Sequence, residues 1–204
     1  MNLSKLSAQD QKNLLTFLRD LVRIPSPSTQ EKDVAQRIVT EMETLDYQEV
    51  SVDPLGNVIG RIGSGRGPTL MFNAHMDTVR VSAPDAWSHD PFGADIEEGV
   101  LYGLGSADMK SGLAAMVYGA KLLQEAGGDW VGDVVVACVV QEEQCEGLGT
   151  RILIEESGVQ PDWVIIGEPT DLDVSRGQRG RLEMRVVAHG RSAHAASPHL
   201  GENA

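Results

Sequence analysis

Apolar residues punctuate the first part of the chain at two different periods. Leu14, Leu15, Leu18, Leu21 and Val22 recur at helical spacing, which predicts an amphipathic helix from about Ser7 to Arg23, closed off before Pro25. Ser28 with Glu31 fits a capping box, and Val34, Ile38, Met42 and Leu45 make one apolar stripe for a second helix. Short β-rich runs follow at Glu49 to Val52, Val58 to Ile62 and Thr69 to Ala74, separated by turn-forming Gly and Pro. Phe92 to Tyr102 reads as a hairpin-like segment. Helical pattern returns from Ser111 to Gln124. A strand is then expected at Asp133 to Gln141, a helix at Gly149 to Glu156 and a strand at Trp163 to Gly167. Arg181 to Ala188, with Leu182, Met184 and Val186 alternating, predicts one more strand before a polar loop that contains histidine. Strand and helix alternate, which argues for an α/β sheet with helices on both faces and chemistry on loops outside the strand ends.

The chain of 204 residues is long enough for one sizeable domain and the start of a second. Its formal charge of -13 repels nucleic-acid phosphates and anionic membrane surfaces, so neither is an expected partner. Solubility is the plainer account of that charge, since carboxylates such as those from Glu41 to Asp46 suit helix faces. The opening twenty residues or so lack the continuous apolar core of a secretion signal. Val134 to Val140, the longest apolar run, falls far short of the roughly 20 residues that span a bilayer and reads as a buried strand. Cys138 and Cys145 lack the spacing of a thiolate zinc site or a disulfide framework, which fits a reducing cytoplasm.

Candidate chemistry lies at the ends of these runs. His75-Met76-Asp77 follows an apolar strand, where a histidine can leave the sheet edge and bind metal while Asp77 holds the ring in one tautomer. Taken alone, it is equally a solvated turn. Asp108 stands where a Gly-rich loop becomes a helix; it could bridge two cations or simply be a helix-entry carboxylate. Lys110 reads as a surface charge. Glu142 and Glu143 end the apolar strand, and adjacent residues of a strand face opposite ways, so one carboxylate could coordinate metal while the other takes a proton from water. Glu168 follows another buried strand. A solvated acidic turn is the plain alternative for each.

Together these groups occur at successive strand or loop ends of one expected sheet, in an order that resembles a family. The chain is similar to the zinc peptidases and deacylases that include acetylornithine deacetylase, succinyl-diaminopimelate desuccinylase, aminoacylase and carboxypeptidase G. The resemblance rests on His-Met-Asp-Thr-Val at 75 to 79, on Trp87 with Asp90-Pro91-Phe92 and Leu101-Tyr102-Gly103, on Ala107-Asp108-Met109-Lys110, on Glu142-Glu143 and on Gly167-Glu168-Pro169-Thr170. Arg176 to Arg181 and Ser192-Ala193-His194 extend it over nearly the whole chain.

It implies a three-layer αβα sandwich with a mixed, largely parallel sheet, occupying residues 1 to 178, and the first strand of an α+β lid and dimerisation domain from 179 to 204. It further implies that His75 and Glu168 bind one zinc, Asp108 bridges both ions, Glu143 binds the other, Glu142 is the general base and Asp77 supports His75. Two ions would share and acidify a water that cleaves the amide bond of an N-acyl amino acid or short peptide. Cobalt or manganese could replace zinc. His194 matches a histidine that reaches from the lid of a second subunit to a developing oxyanion, which implies a homodimer. Arg179 is a candidate for a substrate carboxylate.

Members of this family run to roughly twice this length, in two domains. The chain is therefore expected to be a fragment of a longer protein, with one zinc site short of its last ligand and little turnover of its own. A truncated, noncatalytic metal-binding or interaction module is the alternative. A calcium protein fits less well, because His75 is a poor calcium ligand and the carboxylates lack single-loop spacing.

Overall fold

A long amphipathic helix, α1 (Ala8–Arg23), opens the structure, with the Ser7 hydroxyl accepting from the Asp10 amide at 3.0 Å as its N-terminal cap. The structure, a computed structural model, describes residues 6–127, 131–145, 147–177, 179–182 and 184–204. The chain divides into two units, one ending at Asp171 and one from Leu172 to Ala204.

In the first unit, α1 is followed by α2 (Lys32–Thr44), β1 (Glu49–Val52), β2 (Val58–Gly63) and β3 (Thr69–His75). A two-stranded hairpin, β4 (Asp95–Glu97) with β5 (Val100–Tyr102), leads through an irregular turn, Ser106–Lys110, into α3 (Ser111–Glu125). Then come β6 (Asp133–Val139), the short α4 (Glu142–Cys145), α5 (Leu148–Glu155) and β7 (Trp163–Ile166). The main sheet runs β1-β2-β6-β3-β7; the first two pairings are antiparallel, and β3 pairs in parallel with both β6 and β7.

β6 explains the layering. Every one of its residues is buried, as expected for a central strand covered on both faces. Val134, Val136 and Cys138 pack with Phe17, Leu21, Ile38, Met42, Leu113 and Val117 of the first three helices. Val135, Ala137 and Val139 turn the other way, against Leu153 of α5 and Val159. Helices therefore cover both faces of a mixed sheet. Parallel alignment brings the C-terminal ends of β3, β6 and β7 to the same edge, which is where the polar residues leave the sheet.

Five expectations change. The strand before Glu168 is not buried: β7 stands last in the sheet order, paired only with β3 among the described residues, and all four of its residues are exposed. Ser28 and Glu31 form no capping box: Glu31 precedes α2 without a side-chain cap, and both side chains are engaged elsewhere. β6 ends at Val139, so Glu142 and Glu143 stand on the first turn of α4 and not on alternate faces of a strand. The backbone breaks at Gln141, whose φ is 58°, a left-handed conformation that ends strand geometry. Lys110 is no surface charge, being only 1% exposed. Finally, the described residues between Arg181 and Ala188 form no strand. Their alternation is present, but Leu182, Met184 and Val186 are 82%, 77% and 91% exposed and pair with no strand among the described residues.

The described residues of the second unit contain an antiparallel bridge between Arg191 and Glu202 and a single helical turn at Pro198–Leu200. Among the described residues no helix is long and apolar enough to cross a membrane.

Candidate metal centre

His75 is the last residue of β3 and is 2% exposed. Its amide lies 3.2 Å from Met109 Sδ, and its ring Nδ1 lies 2.9 Å from the main-chain oxygen of Asp77. A carbonyl can only accept, so Nδ1 carries hydrogen and Nε2 is the nitrogen left to face the site. That nitrogen stands 3.0 Å from Asp108 Oδ1 and 3.9 Å from Glu168 Oε1.

Different elements deliver the two carboxylates. Asp108 lies in the Ser106–Lys110 turn, with extended backbone at φ -117° and ψ 100° and a cis peptide to Met109. Gly105 permits this turn: its φ is 74°, and a Cβ there would meet Thr78 Cγ2 at 2.5 Å. Glu168 follows β7, whose path continues as the Gly167 amide donates to the Asn73 carbonyl at 3.0 Å. Gly167 in turn lies against the start of α3, close enough that a Cβ on Gly112 would stand 2.7 Å from its carbonyl oxygen. One ligand atom from each of His75, Asp108 and Glu168 falls within 4.8 Å of the other two.

Asp77 is fully buried and organises the floor beneath them. Its Oδ2 accepts from Ser28 Oγ at 2.6 Å and from the Glu143 amide at 3.2 Å. Its Oδ1 accepts from the Glu142 amide at 3.1 Å and lies 3.5 Å from His75 Nδ1. The tighter restraint on the ring is thus the main-chain oxygen of Asp77, while its carboxylate also seats the first turn of α4. Burial works to raise the Asp77 pKa, but hydrogen bonds from His75, Ser28 and Glu142 outweigh it and hold the group ionised.

The remaining shifts describe a pocket crowded with negative charge. Burial pushes Glu168 up to about 7, helped by the neighbouring charges of Asp108 and Glu142 and opposed by His75. Glu143 is raised as well, first by burial and then by Asp108, Glu142 and Asp77, with His75 opposing. For His75 burial acts downward, yet hydrogen bonds to Asp77 and Asp108 and the charges of Glu168 and Asp77 lift it to about 9. Acidic groups this close ionise together only when a cation compensates them, and one imidazole with several carboxylate oxygens is a donor set suited to zinc, cobalt or manganese. The residues present fit a divalent metal.

Sequence reasoning missed the residues that hold this arrangement. Lys110 is buried with its ammonium donating to the carbonyls of Leu21 at 2.8 Å and Ile24 at 3.1 Å, which ties the Asp108 turn to the end of α1. The only local signal Ser28 offers is its three-residue spacing to Glu31, which points to a helix cap and away from Asp77. Arg179 and His194 belong to the second unit, where both are exposed and His194 Nδ1 accepts from the Ala196 amide at 3.1 Å.

The sequence matches the family described as Peptidase family M20/M25/M40 over residues 71–201. It is 42% identical over 195 residues to the uncharacterized protein YgeY of Escherichia coli K12, covering 95% of this chain and 48% of that protein. It is 32% identical over 204 residues to a succinyl-diaminopimelate desuccinylase of Rhodospirillum centenum, covering 93% of this chain and 53% of that one. The fold is similar to that of an M20 family metallo-carboxypeptidase, Sso-CP2 from Sulfolobus solfataricus, with a TM-score of 0.64, 22% identity, and coverage of 79% of this chain and 37% of that one. The chain thus spans about half the length of the curated relatives it matches. With a family match over residues 71–201 and His75, Asp108 and Glu168 brought together beside the sheet, this chain is a member of the M20/M25/M40 peptidase family.

Proposed function

We propose that the protein carrying this chain is a metal-dependent hydrolase that cleaves the amide bond of N-acyl amino acids or short peptides. The convergence of His75, Asp108 and Glu168 within 4.8 Å carries this reading. His75 through Nε2, Asp108 and Glu168 would hold one divalent ion, and Asp108 with Glu143 would contribute to a second. A bound metal pair supplies Lewis acidity, which acidifies water and polarises the scissile carbonyl.

The chain's own residues then have distinct tasks. Asp77 fixes the imidazole of His75 from behind and anchors the amides of Glu142 and Glu143, so that both carboxylates start from a rigid turn. Glu142 accepts the proton of the attacking water and returns it to the leaving nitrogen. Electrostatic influence of Glu142 on both Glu143 and Glu168 is consistent with a position beside the ligands. Residues 1–178 would form the catalytic part and 179–204 the start of a lid. There Arg179 would meet a substrate carboxylate and His194 would serve the oxyanion of a neighbouring subunit in a homodimer. The charge of -13 supports small-molecule substrates over nucleic acid or membranes, and the sparse cysteines support a cytoplasmic setting.

Hydrolysis of a panel of N-acyl amino acids and dipeptides by the full gene product, before and after metal removal, tests the reading. Activity should vanish on chelation and return with zinc, cobalt or manganese. A protein that binds metal and hydrolyses nothing in the panel would instead be a noncatalytic metal-binding module.

A further inference from the structure

The loop between α1 and α2 touches the candidate centre at consecutive points. Ser26 Oγ donates to the Met76 carbonyl at 2.9 Å, and the Thr78 amide donates to the Ser26 carbonyl at 2.9 Å. Pro27 bridges Thr78. Ser28 Oγ donates to Asp77 Oδ2 at 2.6 Å, and the Gln141 amide donates to Glu31 Oε1 at 3.0 Å. Ser26, Ser28 and Glu31 are 0%, 2% and 5% exposed, so water does not compete for these bonds.

Among these contacts the Ser28 bond is distinctive, because its acceptor is the charged group that two other parts of the site share. Asp77 meets His75 on one side and the Glu142 and Glu143 amides on the other. A short bond from a buried hydroxyl to a buried carboxylate is charge-assisted and fixes the rotation of the carboxylate plane. We propose that Ser28 is a positioning residue which, by locking the Asp77 carboxylate, sets the orientation of His75 and of the Glu142–Glu143 turn together. This rests on the metal-hydrolase reading above and adds to it a residue outside the metal-binding set.

The expected signature is a coupled loss. With the hydroxyl gone, the Asp77 carboxylate loses its shortest bond and keeps the longer ones from the Glu142 and Glu143 amides, so the restraint it passes to the imidazole and the turn loosens. Outer-shell changes of this kind typically cost roughly 10–100-fold in metal affinity or activity. Zinc affinity of the full gene product, measured by calorimetric titration, should therefore fall about tenfold or more in Ser28→Ala. The near-isosteric Ser28→Cys, a weak donor, should show an intermediate loss with an unchanged melting temperature, which guards against an alanine variant that fails to fold. In an Asp77→Asn background Ser28→Ala should cost less than about threefold, since the partner it acts through is already altered. For turnover, kcat should drop while KM moves little.

Wild-type protein that takes up no zinc overturns the metal reading and this inference with it. Wild-type protein that binds zinc, with Ser28→Cys binding it equally tightly and turning over equally fast, overturns the role of Ser28 alone. So does a Ser28→Ala loss that persists undiminished when Asp77 is asparagine.

Discussion

His75 Nε2 lies 3.0 Å from Asp108 Oδ1, with Glu168 Oε1 3.9 Å from the same nitrogen. In the absence of metal, hydrogen bonds to Asp77 and Asp108 and the nearby charge of Glu168 outweigh burial and lift the imidazole to about 9, while burial, helped by the charges of Asp108 and Glu142, raises Glu168 to about 7. A cation must displace both protons to bind. Affinity for zinc should therefore increase with pH: as much as a hundredfold per unit below about 7, where two protons leave, and tenfold per unit from about 7 to 9, where one leaves. Above about 9 the protein's contribution should be flat. Titrations in buffers of different ionisation enthalpy would count the protons released, and an affinity independent of pH between 6 and 9 would contradict this arrangement.

Glu168 depends on a close approach of two glycines. A Cβ on Gly112 would stand 2.7 Å from the Gly167 carbonyl oxygen, a backbone atom that cannot swing aside. Gly112→Ala should displace the Gly167–Glu168 segment, lower stability by about 1–3 kcal/mol and weaken metal binding. Gly119 lies in the same helix with nothing within 4 Å of its would-be Cβ. Gly119→Ala should be neutral or stabilising by up to about 1 kcal/mol, with metal binding unchanged. Denaturant melts of the two variants make the comparison.

Lys110 joins the Asp108 turn to the C-terminal end of α1 through two carbonyls. Burial draws its ammonium down to about 8, against the upward pull of Asp77. Because the unfolded chain holds this proton more tightly, the group's contribution to stability should improve as pH climbs from about 8 toward the ordinary lysine value of 10.5. Lys110→Met removes the donor, strands the Ile24 carbonyl and leaves the Leu21 carbonyl with only the 3.3 Å contact from the Ile24 amide, at a cost of about 1–3 kcal/mol in urea unfolding.

Much of this architecture was legible from periodicity. The stripe of α2 and the apolar run of β6 correspond to faces that are buried, because there local pattern and tertiary packing agree, whereas in α1 the buried face is Phe17, Leu21 and Val22, and Leu15 of the expected stripe is 42% exposed. Departures came where a long-range partner overrode a local rule. Ser28 and Glu31 have the spacing of a cap, yet the buried Asp77 carboxylate and the Gln141 amide are the partners they meet. Lys110 looked solvated because no local pattern shows that two helix-end carbonyls converge on it. Hydrophobicity extends to Val140 and so points to a strand reaching Glu142 and Glu143, whereas the left-handed Gln141 leads into a helix. Leu182, Met184 and Val186 alternate like a strand, and alternation alone does not supply a neighbour.

The division of labour between ligands and base predicts contrasting variants. Glu142→Gln keeps the backbone amide that Asp77 grips and should retain metal within about threefold, while kcat falls by roughly 10²–10⁴ as general base catalysis is lost. Loss of metal together with rate would instead make Glu142 a ligand.

Zinc titration of the full gene product, with wild-type and Asp108→Ala protein side by side, tests the shared centre of His75, Asp108 and Glu168 most directly. Wild-type protein should bind zinc, and Asp108→Ala should weaken binding by more than the roughly 10–100-fold typical of an outer-shell change. Equal affinity in the two proteins, or no uptake by either, would contradict a metal centre at this edge of the sheet.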